Sequence, residues 1–182
     1  MQKIKFYGIG GQGAVTAAKV LSYAVSIYQD EYAITVPAYG HERRGAPVYA
    51  HIIVDQQPVK LNCFVYDPDV VVVFDDSIID KNVDVYAGCG DSTVLVLNTD
   101  RRETVERYRQ LGFTRIYWSD GTGAAVRAIG LAIPNSAMLG ALARTGLVRL
   151  DAVVAAIHDY FGKVGEKNAN AARDAYEHTC EA

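Results

Sequence analysis

The amino-acid sequence predicts a single α/β domain over residues 1–182: an open, mostly parallel, doubly wound sheet with an antiparallel hairpin excursion and helices on both faces. Three observations carry this expectation. An apolar strand runs into a glycine loop and then into a helical stripe over residues 4–28. Two continuous apolar, Val-rich runs, at 70–74 and 93–97, suit central strands buried on both faces. Helical periodicities separate and follow them. A chain of 182 residues is of single-domain size, and at 50% hydrophobic and 21% charged it has an ordinary globular composition.

Ile4 to Tyr7 reads as the first strand, and Gly8-Ile9-Gly10-Gly11-Gln12-Gly13 as a tight turn. From Ala14 to Tyr28, Ala17, Ala18, Leu21, Ala24 and Val25 fall three or four apart, the spacing of one helix face. Asp30-Glu31 ends that helix and Tyr32 to Val36 resumes as a strand, completing a βαβ unit. Residues 37–47, with two prolines and two glycines, form a loop. Val48 to Val54 alternates, Asp55-Gln56-Gln57-Pro58 turns, and Val59 to Phe64 is expected to return as the second arm of a hairpin. After the two buried strands, a helix carries Val105, Tyr108 and Leu111, and Arg115 to Trp118 is a short strand. Asn135 is placed to cap a helix over Ser136–Arg144 stopped by Gly146. Leu150 to Phe161 is amphipathic, and Lys167 to Cys180 reads as a polar last helix.

Composition narrows the partners. A formal net charge of -3 argues against nucleic acid. The three cysteines, Cys63, Cys89 and Cys180, include no C-x-x-C pair, so neither a disulfide framework nor a thiolate metal site made by this chain alone is expected. No apolar run approaches the ~20 residues of a membrane span, and no secretory leader is visible. The expectation is a cytoplasmic protein with no membrane partner.

Gly8, Gly10 and Gly13 fit G-x-G-x-x-G between a strand and a helix, where backbone N–H groups can approach a phosphate. A dinucleotide site also needs an acid at the end of the second strand, and Val36, Pro37 and Ala38 stand there instead. Two readings stay open beside NAD: an anion or cofactor contact, or glycines that only let the helix pack on the sheet. The loop Tyr39-Gly40-His41-Glu42-Arg43-Arg44-Gly45 belongs on the same edge of the sheet, where ligands bind in open α/β folds. Its guanidiniums suit phosphates, carboxylates or a protein interface. Asp75-Asp76 is read as helix capping, Arg101-Arg102 as a solvated helix start, His51 as structural, and His158 and His178 as helix-surface residues. No nucleophile–base set, metal triad or acid pair is apparent. Twelve tyrosines are many for this length, and with tyrosine enriched in interface cores they predict a partner-covered face near Tyr39 and Tyr49.

Together, Gly8-x-Gly10-Gly11-Gln12-Gly13, the segment Pro37-Ala38-Tyr39-Gly40-x-Glu42-Arg43-Arg44-Gly45-Ala46-Pro47-Val48, and Pro68-Asp69 leading into Val70–Asp75 resemble the gamma subunit of 2-oxoacid:acceptor oxidoreductases, of which pyruvate:ferredoxin oxidoreductase is the best-known. Asn135-Ser136-Ala137-Met138-Leu139-Gly140-Ala141-Leu142 and the final helix containing Asn170 fit as well, so the resemblance spans nearly the whole chain. It implies a complex that decarboxylates a 2-oxo acid, passes electrons to iron–sulfur clusters and transfers the acyl group to coenzyme A. Thiamine diphosphate with magnesium would lie between alpha and beta subunits, and 4Fe–4S clusters in the beta and delta-type subunits. Ferredoxin or another acceptor would take the electrons. This chain would bind none of these cofactors alone. It would contribute structure and the coenzyme A side of the cleft, through Gly10, Gly11, Gln12, Gly13, Arg43 and Arg44, with no catalytic residue of its own. His41 stands where proline is frequent in pyruvate enzymes, which leaves the 2-oxo acid open between pyruvate and aryl acids such as phenylglyoxylate. A free-standing nucleotide-binding oxidoreductase and a purely structural module are the alternatives.

Overall fold

The first run of apolar residues forms β1 (Gln2–Ile9), whose side chains alternate between two cores: Ile4 and Phe6 are fully buried on one face and Tyr7 on the other. The computed structural model describes residues 1–38 and 45–182. After the glycine turn come α1 (Ala14–Tyr28), β2 (Tyr32–Ala38) and β3 (Pro47–Asp55), then β4 (Val70–Val73) and a 3-10 helix at Asp76–Lys81. The chain continues through β5 (Val94–Asn98), α2 (Arg102–Gln110), β6 (Arg115–Ser119), α3 (Gly121–Ile129) and α4 (Asn135–Ala143). It ends in α5 (Leu150–Phe161), α6 (Gly165–His178) and a two-residue β7 (Cys180–Glu181).

The seven strands form one sheet in the order β2-β3-β1-β4-β5-β6-β7. Pairings β1–β4, β4–β5 and β5–β6 are parallel, whereas β3 is antiparallel to both β1 and β2, and β7 is antiparallel to β6. Five strands therefore point one way, as the expected mostly parallel sheet requires. The valine run behaves as its composition predicts: Val71, Val72 and Val73 are completely buried and Val70 nearly so. On one face α1, α4, α5 and α6 cover Ile4, Phe6, Ile52, Val72 and Val96. On the other, α2 and the 3-10 helix cover Tyr7, Val71, Val73, Leu95 and Leu97. Each fully buried large apolar side chain contributes about 1.5–3 kcal/mol relative to exposure.

The antiparallel excursion exists with a different partner from the one expected. β3 pairs with β2 on one side and β1 on the other, and Val59–Phe64 forms no strand. Both edges of β3 are occupied, so no edge remains for a second arm. A second consequence is that β1 and β2 run parallel without touching, because β3 lies between them.

The last helix starts at Gly165, before the expected Lys167, and ends at His178, and Cys180 belongs to β7. It is less polar in its setting than in its composition: Asn168, Ala169, Ala171, Ala172 and Ala175 are buried. That face packs on α4, all nine residues of which are buried, as expected of a helix without a polar stripe. The two helices approach so closely that a Cβ on Gly140 would sit 1.9 Å from the Ala172 carbonyl oxygen. Among the described residues, no helix is long and apolar enough to cross a membrane. Gly140→Ala is expected to lower the unfolding free energy by about 1–3 kcal/mol, because backbone must move to admit the methyl group. Urea denaturation of the purified chain checks this, and an unchanged midpoint would refute the close approach.

Candidate functional site

The glycine turn leaves β1 and enters α1 with Gly11 at φ 106° and Gly13 at φ 75°, conformations that side chains with a Cβ seldom adopt. Its shape is fixed by Gln12. The Gln12 Oε1 accepts the Ile9 N–H at 2.9 Å, and its Nε2 donates to Asp75 Oδ2 beyond the end of β4. Space is limiting at both ends. A Cβ on Gly8 would lie 2.8 Å from the Ala14 Cβ, and one on Gly13 would lie 2.8 Å from Asn135 Nδ2. The packing role of these glycines is therefore real, and it leaves the N-terminus of α1 with no side-chain cap and no acidic residue in its first turn.

Arg43 and Arg44, with Tyr39, lie outside the described residues. The residues that flank their loop do not. Gly10 N–H donates to the Ala46 carbonyl at 2.9 Å, and Gly45 N–H donates to the Gly10 carbonyl at 3.3 Å. Gly10 is thus bonded directly to the end of the arginine loop. Tyr49 is half-buried and stacks edge-on against Tyr7 at 5.5 Å, so part of its ring is already used inside the chain.

Beside the turn, at the carboxyl ends of β1, β4, β5 and β6, lies a polar cavity of about 290 Å³. Three of its four acids are committed to hydrogen bonds, and the fourth, Asp100, is exposed. Asp75 accepts from the Ser77 N–H and hydroxyl, the capping role expected from the sequence. Asp76 accepts from Thr99 Oγ1 at 2.9 Å and from Arg101 at 2.8 Å, so Arg101 is a crevice ion-pair partner as well as the residue that opens α2. Asp120 caps α3 through the Gly123 N–H. Asn98 bridges the Phe74 carbonyl and Thr122. Asn98, Thr99 and Asp120 escaped the sequence reading, although polar residues closing a buried strand on the ligand edge are a signal of this geometry. Among the described residues no three His, Cys, Asp or Glu side chains gather as metal ligands. Cys89 is half-buried, and burial pushes its thiol up to about 11, so it is not a thiolate near neutral pH.

These features define a class: an α/β domain with a glycine turn and a polar crevice at the carboxyl ends of its strands. The β3 insertion separates β2 from the turn, so the end of β2 is not beside it as a dinucleotide site would need. The chain belongs to the pyruvate ferredoxin/flavodoxin oxidoreductase family, whose profile matches residues 3–178. It is 44% identical over 183 residues to the pyruvate/ketoisovalerate oxidoreductases common subunit gamma of Pyrococcus furiosus, covering 98% of this chain and 97% of that one. It is 46% identical over 180 residues to the pyruvate synthase subunit PorC of Methanothermobacter thermautotrophicus, covering 97% and 95%. The crystal structure of pyruvate oxidoreductase subunit PORC from Thermotoga maritima superposes with a TM-score of 0.85 at 33% identity, over 100% of this chain and 98% of that one.

The remaining histidines separate by setting. His158 and His178 lie at the surface of α5 and α6. His51 is buried in β3, where its Nδ1 accepts the Val65 N–H at 3.1 Å and its ring lies 4.8 Å from that of Phe64. It thereby ties the segment after β3 to the sheet, the structural role expected of it. Burial, helped by the Lys5 charge, lowers its pKa to about 4. The folded chain holds His51 neutral while the unfolded chain takes the proton below about pH 6.5, so stability falls as pH drops between 6.5 and 4. By pH 4 this one group should cost about 3 kcal/mol. Comparison with His51→Gln, which keeps an acceptor for Val65, isolates the effect: the variant should lose that part of the acid slope, together with an imidazole signal that in the parent protein's NMR spectrum does not titrate above pH 5.

Proposed function

We propose that this chain is the gamma-type subunit of a multi-subunit 2-oxoacid:acceptor oxidoreductase, which oxidatively decarboxylates pyruvate or a related 2-oxo acid to the acyl-CoA. Thiamine diphosphate with magnesium supplies the decarboxylation chemistry and iron–sulfur clusters carry the electrons, both on alpha, beta and delta-type partners, with ferredoxin or a similar acceptor at the end. In this chain Asp75, Asp76 and Asp120 of the crevice serve in capping and ion pairing. What the chain offers at this edge is a glycine turn whose shape Gln12 fixes. We assign Gly10, Gly11, Gln12, Gly13, Arg43 and Arg44 to the coenzyme A side of the cleft.

The observation that supports this assignment best is the pair of backbone hydrogen bonds joining Gly10 to Gly45 and Ala46. They tie the residues that follow the two arginines to the glycine turn at the start of α1. Coenzyme A carries a pyrophosphate and a 3′-phosphate, and guanidinium groups recognise either bidentately. Kinetics of the assembled enzyme test it. Arg43→Ala or Arg44→Ala should leave the complex intact and raise the coenzyme A KM roughly 10- to 150-fold, the loss of a charge-assisted hydrogen bond of about 1.5–3 kcal/mol. Release of the subunit by either change would place the arginines at a subunit interface instead. An intact complex with unaltered coenzyme A dependence would remove both from the ligand.

A further inference from the structure

Helix α1 buries a stripe that includes Ala17, Ala18, Leu21, Ala24 and Val25, and it turns Tyr23 and Ile27 outward, 39% and 56% exposed. These two lie one turn apart. Facing them is the last turn of α5, where Asp159 is exposed and Tyr160 is 47% exposed. Between the helices is an open hollow of about 320 Å³ lined by Tyr23, Asp159 and Tyr160. Its aromatic walls are supported from behind. Tyr28 and Phe161 pack against the core; Tyr28 meets the Tyr23 ring edge-on at 6.1 Å between centroids, and Phe161 meets the Tyr160 ring at 5.2 Å.

Asp159 is the charged group of this hollow. Its Oδ2 accepts from the Tyr28 hydroxyl and, at 3.3 Å, from the Tyr23 hydroxyl, whereas its Oδ1 has no hydrogen-bond partner among the described residues. The bond to Asp159 pushes the Tyr28 phenol up to about 12. No described cation pairs with the carboxylate: the adjacent His158 faces Glu166, and Arg149, at the other end of α5, pairs with Asp151 and donates to the Tyr28 carbonyl. Asp159 also stands in the last turn of α5, where the partial negative charge of the helix end disfavours an anion. Neither capping nor ion pairing within the described residues accounts for a carboxylate here.

An anion flanked by aromatic rings is suited to an organic cation. Tyrosine ring faces carry negative potential, and a cation within ~6 Å of a ring is attracted to it. Guanidinium fits better than ammonium, because it is planar, stacks on rings and donates two parallel hydrogen bonds to one carboxylate. The apolar surround favours a cation carried on a protein: Ile27 and the two exposed rings widen the contact, and tyrosine and arginine are enriched at interface centres. A second copy of this chain is a poor source, since Arg101, Arg107, Arg109, Arg127 and Arg173 already pair with carboxylates of their own chain.

We infer that the hollow between α1 and α5 is an interaction site that receives an arginine side chain of a partner subunit, with Asp159 as its counter-ion and Tyr23 and Tyr160 flanking the guanidinium. The inference rests on the subunit reading above for the identity of the partner. It adds a second tyrosine-lined contact to the one expected near Tyr39 and Tyr49.

The test is reconstitution of the enzyme from this subunit and its separated partner subunits, with the dissociation constant of this subunit measured against salt. Asp159→Asn keeps an oxygen for both tyrosyl hydroxyls and removes only the charge. It should leave the thermal stability of the isolated chain unchanged, raise the dissociation constant about tenfold and flatten its salt dependence. Asp159→Arg, which meets the guanidinium with a like charge, should raise it further. Tyr160→Ala removes one flanking ring and leaves the Asp159 hydrogen bonds in place. It should raise the constant about fivefold, and it covers the case in which the Asp159 variants do not fold. Unchanged dissociation constants in Asp159→Asn and Tyr160→Ala, with the complex assembled, overturn the site and leave the subunit reading standing. A parent chain that associates with none of the partner subunits overturns that reading and the inference with it. An isolated parent chain that dimerises, and becomes monomeric in Asp159→Arg, makes a second copy the occupant and overturns the assignment to a partner subunit.

Discussion

β4 and β5 are buried on both faces, and the rest of the architecture depends on this. Val70–Val73 and Val94–Asn98 expose almost nothing, so both faces of the sheet centre must be covered. α1, α4, α5 and α6 cover one face and α2 with the 3-10 helix covers the other. Parallel strands buried in this way have polar freedom only at their ends. The polar side chains of the chain accordingly gather at the carboxyl ends, where Asp75, Asp76, Asn98, Thr99 and Asp120 cap, bridge and pair.

The other constraint is the handling of the sheet's outer edge. β2 is seven residues long, lacks any charge, and lies at the edge of the sheet. Such a strand invites pairing with another chain. Two residues blunt it. The Ala33 N–H donates to Ser26 Oγ at 3.2 Å, which shows that Ala33 faces away from β3. The alternation of an antiparallel ladder then turns Thr35 and Pro37 outward too, and proline has no N–H to offer. The chain can therefore carry an apolar edge strand without presenting a full row of donors.

The glycine turn connects these two parts. Gln12 fastens it to the end of β4, Gly10 fastens it to the segment entering β3, and Gly13 packs on the first residue of α4. Strand, hairpin and central helix thus converge on six residues. A turn with so many fixed neighbours is preorganised, and a ligand meeting it would find donors already in place instead of ordering them on arrival.

Much of this was legible in the residues. The continuous valine run, the helical spacing from Ala14 to Val25 and the strand–glycine–helix succession determine an α/β domain with a buried parallel centre, because burial pattern and backbone period are local properties of sequence. The structural role of His51 and the capping role of Asp75 were also readable. The pairing of β3 was not. Alternation places Val48–Val54 in a sheet but does not name its neighbours, and here β2 and β1 claim both edges and leave Val59–Phe64 without a strand to join. The burial of α6 escaped for the same reason: its alanines are compatible with either setting, and only the close approach of Gly140 to Ala172 decides that they face a core. So did the meeting of Gly13 with Asn135, residues 122 positions apart in sequence. One was read as part of a turn and the other as a helix cap; Gly13 is the cap of α1, and Asn135 is instead the first residue of α4, after Pro134, with its Oδ1 on the Ser136 N–H. What tertiary structure alone supplied was their adjacency, since the direction of a side chain across an interface depends on how whole elements pack, and no local pattern encodes it.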